Sequence, residues 1–165
     1  MPAVSNTSPI LNLAIIGRLA LLKEQFETVF IPPAVREELR VESELPGSRV
    51  IGEAIEAGWI QIEQVRNMAF VKVLRRELDE GESEAIALAL QAQAEWTLLD
   101  EKEGRRVAKS LGLRVTGVLG ILLRARREGK LGHLKRVLVD LREKAGFHIR
   151  ADLLKDVLKE ESNNY

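Results

Sequence analysis

Apolar positions along the chain predict short strands that alternate with helices through residue 127. Apolar runs of strand length occupy five segments, 3–5, 26–31, 59–65, 96–99 and 113–115. Patterns typical of helices lie between and after them, over 8–16, 19–25, 34–41, 49–57, 69–78, 85–92, 102–111 and 116–127. Several strands lack a polar face, as strands of a parallel sheet covered by helices on both sides do. We therefore predict an α/β domain, a three-layer α/β/α sandwich with a central parallel sheet of about five strands.

The pattern changes after residue 128, where amphipathic helices replace the alternation. Leu131, Leu134, Leu138 and Leu141 mark one helix, and Leu153, Leu154, Val157 and Leu158 mark another. We expect these helices to pack on the domain or on a second copy of the chain. The predicted organisation is a domain at 1–128 and a C-terminal helical extension at 129–165 packed on it.

The composition excludes several classes of protein. The chain has 165 residues, which suits one domain, and only 4% are aromatic, so the core must be aliphatic. Cysteine is absent, which excludes disulfides, thiolate zinc sites and cysteine nucleophiles and is typical of a reducing cytosol. No apolar run approaches the ~20 residues of a membrane helix. We expect a cytoplasmic protein with no membrane partner.

The charges balance, with 25 basic and 25 acidic residues. A protein that binds nucleic acid over much of its surface is usually basic, so any nucleic acid here must be held locally. Three basic clusters are candidates: Arg75-Arg76, Lys102 with Arg105-Arg106, and Arg124-Ala125-Arg126-Arg127. Each is also explained as a solvated helix face balanced by nearby Glu.

Polar side chains follow several of the predicted strands. Asn6, Asp100 and Thr116 each come after an apolar strand, Glu38 lies about two turns into the helix after the second strand, and Glu84 lies in the first turns of an apolar helix. Ligands bind beyond the carboxyl ends of strands in open parallel sheets. Clustered carboxylates repel one another unless a cation such as Mg²⁺ or Mn²⁺ joins them through oxygen ligands. A metal there activates water and suggests phosphodiester chemistry.

Each of these residues also has a structural explanation. Glu84 could stabilise a helix N-terminus through the dipole, and Asp100 could cap the helix that starts at Lys102. Glu38 could pair with a surface arginine, Arg36 or Arg40. Ser8 and Thr116 are expected to be helix N-caps, and His133 and His148 to be structural or exposed.

Five segments of the chain resemble the PIN domain, in the branch similar to VapC toxins. They are Val4-Ser5-Asn6-Thr7-Ser8-Pro9, Ile31-Pro32-Pro33-Ala34-Val35 through Glu38-Leu39, Gly81-Glu82-Ser83-Glu84-Ala85-Ile86-Ala87, Leu98-Leu99-Asp100-Glu101 with Arg105-Arg106-Val107-Ala108, and Val115-Thr116-Gly117. The resemblance covers about residues 3–127, with the segments in the family's order. The extension after Gly129 resembles the helical extension of that branch.

The resemblance implies an acidic pocket, one or two Mg²⁺ or Mn²⁺ ions and RNA cleavage. The family's metal-binding positions fall at Asn6, Glu38, Glu84 and Asp100, with Glu37 as the runner-up to Glu38. The implied catalytic residues are Glu38, Glu84 and Asp100. The implied metal ligands are Asn6, Glu84, Asp100, Glu82 and Glu101. The implied substrate-binding residues are Thr7, Ser8, Thr116 and Arg105.

Asn6 departs from the family pattern, which has Asp at that point. An amide oxygen still binds a hard cation, but it brings no charge and cannot act as a general base. Three interpretations follow: a weakened enzyme that uses Glu38, Glu84 and Asp100, a binding module without cleavage, or an engineered change.

The resemblance implies a metal-dependent endoribonuclease that is the toxin of a toxin–antitoxin pair. Its partners would be RNA, a small antitoxin that blocks the acidic pocket, and a second copy in a homodimer. The alternative is a catalytically weakened or inactive PIN-like module that binds RNA or a protein. A phosphatase-like or response-regulator-like domain would need adjacent acids after the first strand, and Ser5-Asn6-Thr7 supplies none.

Overall fold

Five parallel strands form one central sheet in the order β3-β2-β1-β4-β5, as a computed structural model describes it. The structure describes the backbone of residues 2–162 and the side chains of residues 2–159. The strands are β1 (Ala3–Ser5), β2 (Val29–Ile31), β3 (Ile60–Ile62), β4 (Trp96–Leu98) and β5 (Val115–Thr116). All four strand pairings are parallel, which confirms the predicted fold class.

Helices fill the connections and both faces of the sheet. They are α1 (Thr7–Ile15), α2 (Ala20–Phe26), α3 (Pro33–Leu39), α4 (Ser48–Glu56), α5 (Met68–Leu74), α6 (Glu80–Ala92), α7 (Lys102–Ser110), α8 (Val118–Arg127), α9 (Leu134–Ala145) and α10 (Ala151–Ser162). β1 shows how the layers divide, because successive side chains of a strand face opposite sides. Ala3 faces the cluster built with α1, α2, α8 and α9, whereas Val4 faces α6.

Several element boundaries differ from the prediction, and two of these differences have a clear physical cause. The hydrophobic pattern predicts Phe26 in the second strand, but Phe26 is buried at the end of α2, and the chain turns at Glu27 with a positive φ of 65° before β2 begins. The helix expected from Ala85 begins at Glu80, because the Asp79 carboxylate accepts a hydrogen bond from the Glu82 N–H at 2.8 Å and caps it. This longer α6 carries Glu82 and Glu84 in its first two turns.

The strand order creates a switch point between β1 and β4. The chain builds β2 and β3 on one side of β1, then crosses to build β4 and β5 on the other side. Ser5 is in register with Leu98, and the Asn6 N–H donates to the Leu98 carbonyl at 3.0 Å. Loops that leave β1 and β4 at such a point diverge and form a crevice at the carboxyl edge of the sheet.

The C-terminal extension shares its core with the domain. Leu134, Leu138 and Leu141 of α9 are buried in the cluster that contains β1 and α1, and Val157 of α10 joins them. These two helices therefore pack against the layer that contains α1, and the division into a domain at 1–128 and an extension at 129–165 stays a prediction. No helix within residues 2–162 combines the length and the hydrophobicity that crossing a bilayer requires.

Candidate functional site

Asn6 lies at the switch point, directly after β1. Its side chain is 5% exposed, and its Oδ1 atom is buried without a hydrogen-bond partner among the described residues. A buried carbonyl oxygen without a partner costs about 1–3 kcal/mol. Oδ1 points toward Gly81 of α6, where it lies 3.0 Å from the position that a Cβ atom would occupy. This oxygen therefore has unused hydrogen-bonding capacity inside the protein.

The Glu38 carboxylate converges on the same glycine. Both of its oxygens lie 2.8 Å from the Cβ position of Gly81, so only glycine leaves room for this arrangement. The Thr7 hydroxyl, in the first turn of α1, donates a hydrogen bond to Glu38 Oε2. The structural alternative for Glu38, an ion pair with Arg36 or Arg40, is not met at Arg36, because Arg36 pairs with Glu42 at 2.7 Å.

Glu84 is buried one turn after Gly81, with a side chain that reaches α3. Its Oε1 accepts a hydrogen bond from the Ala34 N–H at 3.2 Å, in the first turn of α3. Burial raises the pKa of Glu84, the Ala34 N–H opposes that rise, and the charges of Glu80 and Glu38 add to it. Glu84 thus stabilises the N-terminus of α3 and interacts electrostatically with Glu38.

Asp100 joins two helix N-termini beside β4. Its Oδ2 accepts from the Ser8 hydroxyl at 2.7 Å, and its Oδ1 accepts from the Val118 N–H at 2.8 Å. Burial raises the pKa of Asp100, while these two donors and the Arg105 cation oppose the rise. Asp100 was also considered as the cap of α7, but Glu101 occupies that position without a side-chain hydrogen bond.

Two expected helix caps are wrong. Ser8 does not cap α1, since its hydroxyl donates to Asp100 and accepts from the Asn12 amide at 2.9 Å. Thr116 belongs to β5, and Gly117 is the N-cap of α8. Thr116 Oγ1 lies against Gly120, so its hydroxyl faces the first turn of α8.

The remaining predicted residues lie outside the group at Gly81. Glu82 is 6% exposed and faces Gly104 of α7. Burial, with the carboxylates of Asp79 and Glu101, raises the pKa of Glu82 to about 7. Glu37, Glu101 and Arg105 are exposed.

A cleft of about 400 Å³ opens beside Asp100. Lys102 and Arg105 line it, together with His148 and Arg150 from the linker between α9 and α10. Sequence reasoning placed Arg105 near substrate but missed the linker, which is distant in sequence and carries no motif.

The oxygen donors fit a hydrated divalent cation better than a closed cage. Among the side chains described, those of residues 2–159, no three of His, Cys, Asp or Glu lie close enough together to hold an ion by themselves. Asn6 and Glu38 nevertheless converge, and Glu84 lies within electrostatic reach of Glu38. Mg²⁺ commonly keeps several waters and binds through one or two carboxylates, so this donor set is compatible with it.

The comparisons with known proteins agree with this architecture. Residues 2–163 match the family model DUF3368, described as a PIN domain. A solved PilT N-terminus domain protein from the hyperthermophilic archaeon Sulfolobus solfataricus P2 is similar in fold, with a TM-score of 0.52 and 20% identity over 81% of this chain and 96% of that one. No curated protein matches the chain. The family match spans nearly the whole sequence, and the chain therefore belongs to the PIN-domain family.

Proposed function

We propose that the protein is a Mg²⁺- or Mn²⁺-dependent endoribonuclease and the toxin of a toxin–antitoxin pair. One observation carries the nuclease proposal: the buried, unpartnered Asn6 Oδ1 and the Glu38 carboxylate converge on Gly81 at the switch point of the sheet. PIN domains are generally divalent-metal-dependent nucleases, which supports the same chemistry.

Different residues at the carboxyl edge of the sheet would bind the ion and accept the proton of water. Asn6, Glu38 and Glu84 would hold the ion, which when bound lowers the pKa of water and stabilises charge on a phosphate oxygen. Glu38 Oε1 is the better proton acceptor for attacking water, because Thr7 engages Oε2 and the Asn6 amide takes no proton. Asp100, held by Ser8 and the Val118 N–H, would place a carboxylate between this group and the neighbouring cleft.

The biological role in this proposal rests on the resemblance to VapC-like proteins. The substrate would be RNA, and the controlling partner would be a small antitoxin that inserts a cation into the acidic pocket. The toxin would act as a homodimer in the cytoplasm. Coexpression with a candidate antitoxin tests this role, because the antitoxin must copurify with the chain and suppress RNA cleavage.

Cleavage of labelled RNA in Mn²⁺ tests the nuclease itself. Glu38→Gln should abolish cleavage, and Asn6→Asp should increase it, because Asp restores a charge at the site. Glu37→Gln is the matched control, since Glu37 is the exposed neighbour of Glu38 on α3. Loss of activity in Glu37→Gln instead would transfer the role to Glu37. Intact RNA with both wild type and Asn6→Asp would refute the nuclease.

A binding module without cleavage is the second candidate. It is favoured because the other carboxylates already accept hydrogen bonds within the protein. Glu84 accepts one from an N–H of α3, and both Asp100 oxygens have donors. In that case Asn6→Asp should gain no activity, and Glu84→Gln should leave the affinity for RNA or a protein partner nearly unchanged. A gain of cleavage in Asn6→Asp would exclude this candidate.

A further inference from the structure

The cleft beside Asp100 is built by two parts of the chain that are far apart in sequence. Asp100, Lys102 and Arg105 come from the segment after β4, and Gly117, Leu119 and Gly120 come from the N-cap and first turn of α8. The other lining residues belong to the linker between α9 and α10, with one residue of α10. These residues are Phe147, His148, Ile149, Arg150 and Leu153. The extension therefore completes a surface that begins at the candidate site.

Basic side chains outnumber acidic ones among the described residues of this cleft, although the whole chain is neutral. Lys102, Arg105, His148 and Arg150 line it, and all four are exposed. Its one acid, Asp100, is engaged by Ser8 and the Val118 N–H. A local excess of positive charge next to an acidic pocket fits a polyanion whose scissile group must reach that pocket.

We propose that this cleft binds the phosphodiester backbone of single-stranded RNA, with Arg150 and His148 as contacts that the C-terminal extension supplies. The proposal rests on the proposed RNA substrate and extends its binding surface beyond Arg105. A guanidinium donates two parallel hydrogen bonds to a phosphate, and an imidazole adds an N–H donor. Since the cleft borders Asp100, a strand that occupies it runs up to the candidate site.

The present partner of Arg150 is easily exchanged. Arg150 lies 3.4 Å from Asp152, and both side chains are more than 70% exposed. Such exposed pairs contribute little to stability, so a phosphate can displace the carboxylate. Removal of the Asp152 charge should therefore strengthen RNA binding, whereas loss of the Arg150 charge should weaken it.

Fluorescence anisotropy of a short labelled single-stranded RNA, measured on the full chain in EDTA, tests the cleft without cleavage. Arg150→Ala and His148→Ala should each weaken binding about 3- to 10-fold, and Asp152→Asn should tighten it. For Arg150→Ala, the slope of log affinity against log salt should fall by about 0.7, the value of one phosphate contact on a single strand.

Lys144→Ala is the matched control. Lys144 is an exposed cation of the same extension, it pairs with Asp140 at 3.7 Å, and it lies outside the cleft. Its loss should leave affinity and salt slope unchanged. Equal effects of Arg150→Ala and Lys144→Ala, or no RNA binding by wild type, would overturn the proposal.

The nuclease proposal and the proposal of an RNA-binding cleft can be refuted independently. Arg150-dependent binding without Mn²⁺-dependent cleavage supports the cleft and refutes the nuclease. Cleavage with the same KM in wild type and Arg150→Ala supports the nuclease and refutes the cleft. A polyglutamate probe that binds as tightly as RNA, with the same Arg150 dependence, would replace RNA by an acidic polypeptide and overturn the proposal.

Discussion

Substitution of Gly81 by Ala should separate the stability of the protein from the function of its site. Gly81 lies in the first turn of α6, where Ala is preferred to Gly by about 0.5–1 kcal/mol. A Cβ atom there would lie 2.8 Å from both Glu38 oxygens and 3.0 Å from Asn6 Oδ1. Glu38 is exposed and flexible, so its carboxylate can move away, whereas buried Asn6 must yield by a few tenths of an ångström.

The two effects on stability nearly cancel. Displacement of Glu38 breaks its hydrogen bond with Thr7, at a cost of about 0.5–1.5 kcal/mol. The gain in helix propensity offsets most of that cost. We therefore expect the free energy of unfolding to change by about 1 kcal/mol at most, which for a chain of this length moves Tm by about 2–4 °C.

The site should respond much more strongly than the fold. With Glu38 displaced, Mn²⁺ affinity measured by calorimetry should fall about 10-fold or more, and RNA cleavage should fall with it. Gly52→Ala is the control, because a Cβ on that glycine of α4 meets only Val41 Cγ1 at an ordinary 3.7 Å. It should stabilise the protein by about 0.5–1 kcal/mol and leave the site unchanged.

Two results would refute this reasoning. Full Mn²⁺ affinity in Gly81→Ala would mean that Glu38 and Asn6 do not hold the ion together. A loss of stability far beyond that expected, with Gly52→Ala behaving normally, would mean that the Glu38 carboxylate cannot leave Gly81 and that its position is fixed by packing.

Three further predictions concern stability. Because the pKa of Glu82 is raised, the folded state keeps a proton on this carboxyl that the unfolded state releases near pH 4.5. The free energy of unfolding, measured in urea, should therefore fall by about 1–2 kcal/mol as pH rises from 4.5 to 7. Glu82→Gln should reduce this pH dependence. Asp100→Ala should lower the free energy of unfolding in urea by about 2–4 kcal/mol, because the Ser8 hydroxyl and the Val118 N–H lose their acceptor. An unchanged free energy would mean that Asp100 does not stabilise the fold by joining these two donors. Leu141→Ala should cost about 2–5 kcal/mol and exposed Leu153→Ala much less; equal costs would show that the extension is not part of the core.

The fold was predictable because it depends on local patterns. Each strand is a short apolar run, and apolar runs between helices specify a parallel sheet without information about distant contacts. The errors arose where one backbone conformation decides a boundary. The positive φ of Glu27 separates Phe26 from β2, and no hydrophobic pattern encodes it. The early start of α6 did have a signal, since Asp79 followed three residues later by Glu82 is typical of a helix N-terminus.

The site was predictable only in part. Residues that follow strands must meet at one sheet edge, so Asn6 and Asp100 could be placed there from the sequence. Their partners could not be, because Ser8 and Asp100 are 92 residues apart and meet only because β1, which leads into α1, pairs with β4. The linker with His148 reaches the cleft because α9 packs on α1 and α8, which amphipathic spacing alone does not specify.

The amide of Asn6 is compatible with a pocket that folds before any ion arrives. An aspartate at this 5%-exposed position would bring an unpaired carboxylate next to Glu38, and burial together with that charge would raise its pKa and destabilise the metal-free fold. Asn6 keeps an oxygen in place for a cation and avoids this repulsion, but it weakens the attraction for the ion. Asn6 therefore lowers the affinity for the metal and raises the stability of the metal-free protein. Asn6→Asp should accordingly increase Mn²⁺ affinity and decrease the free energy of unfolding measured without metal.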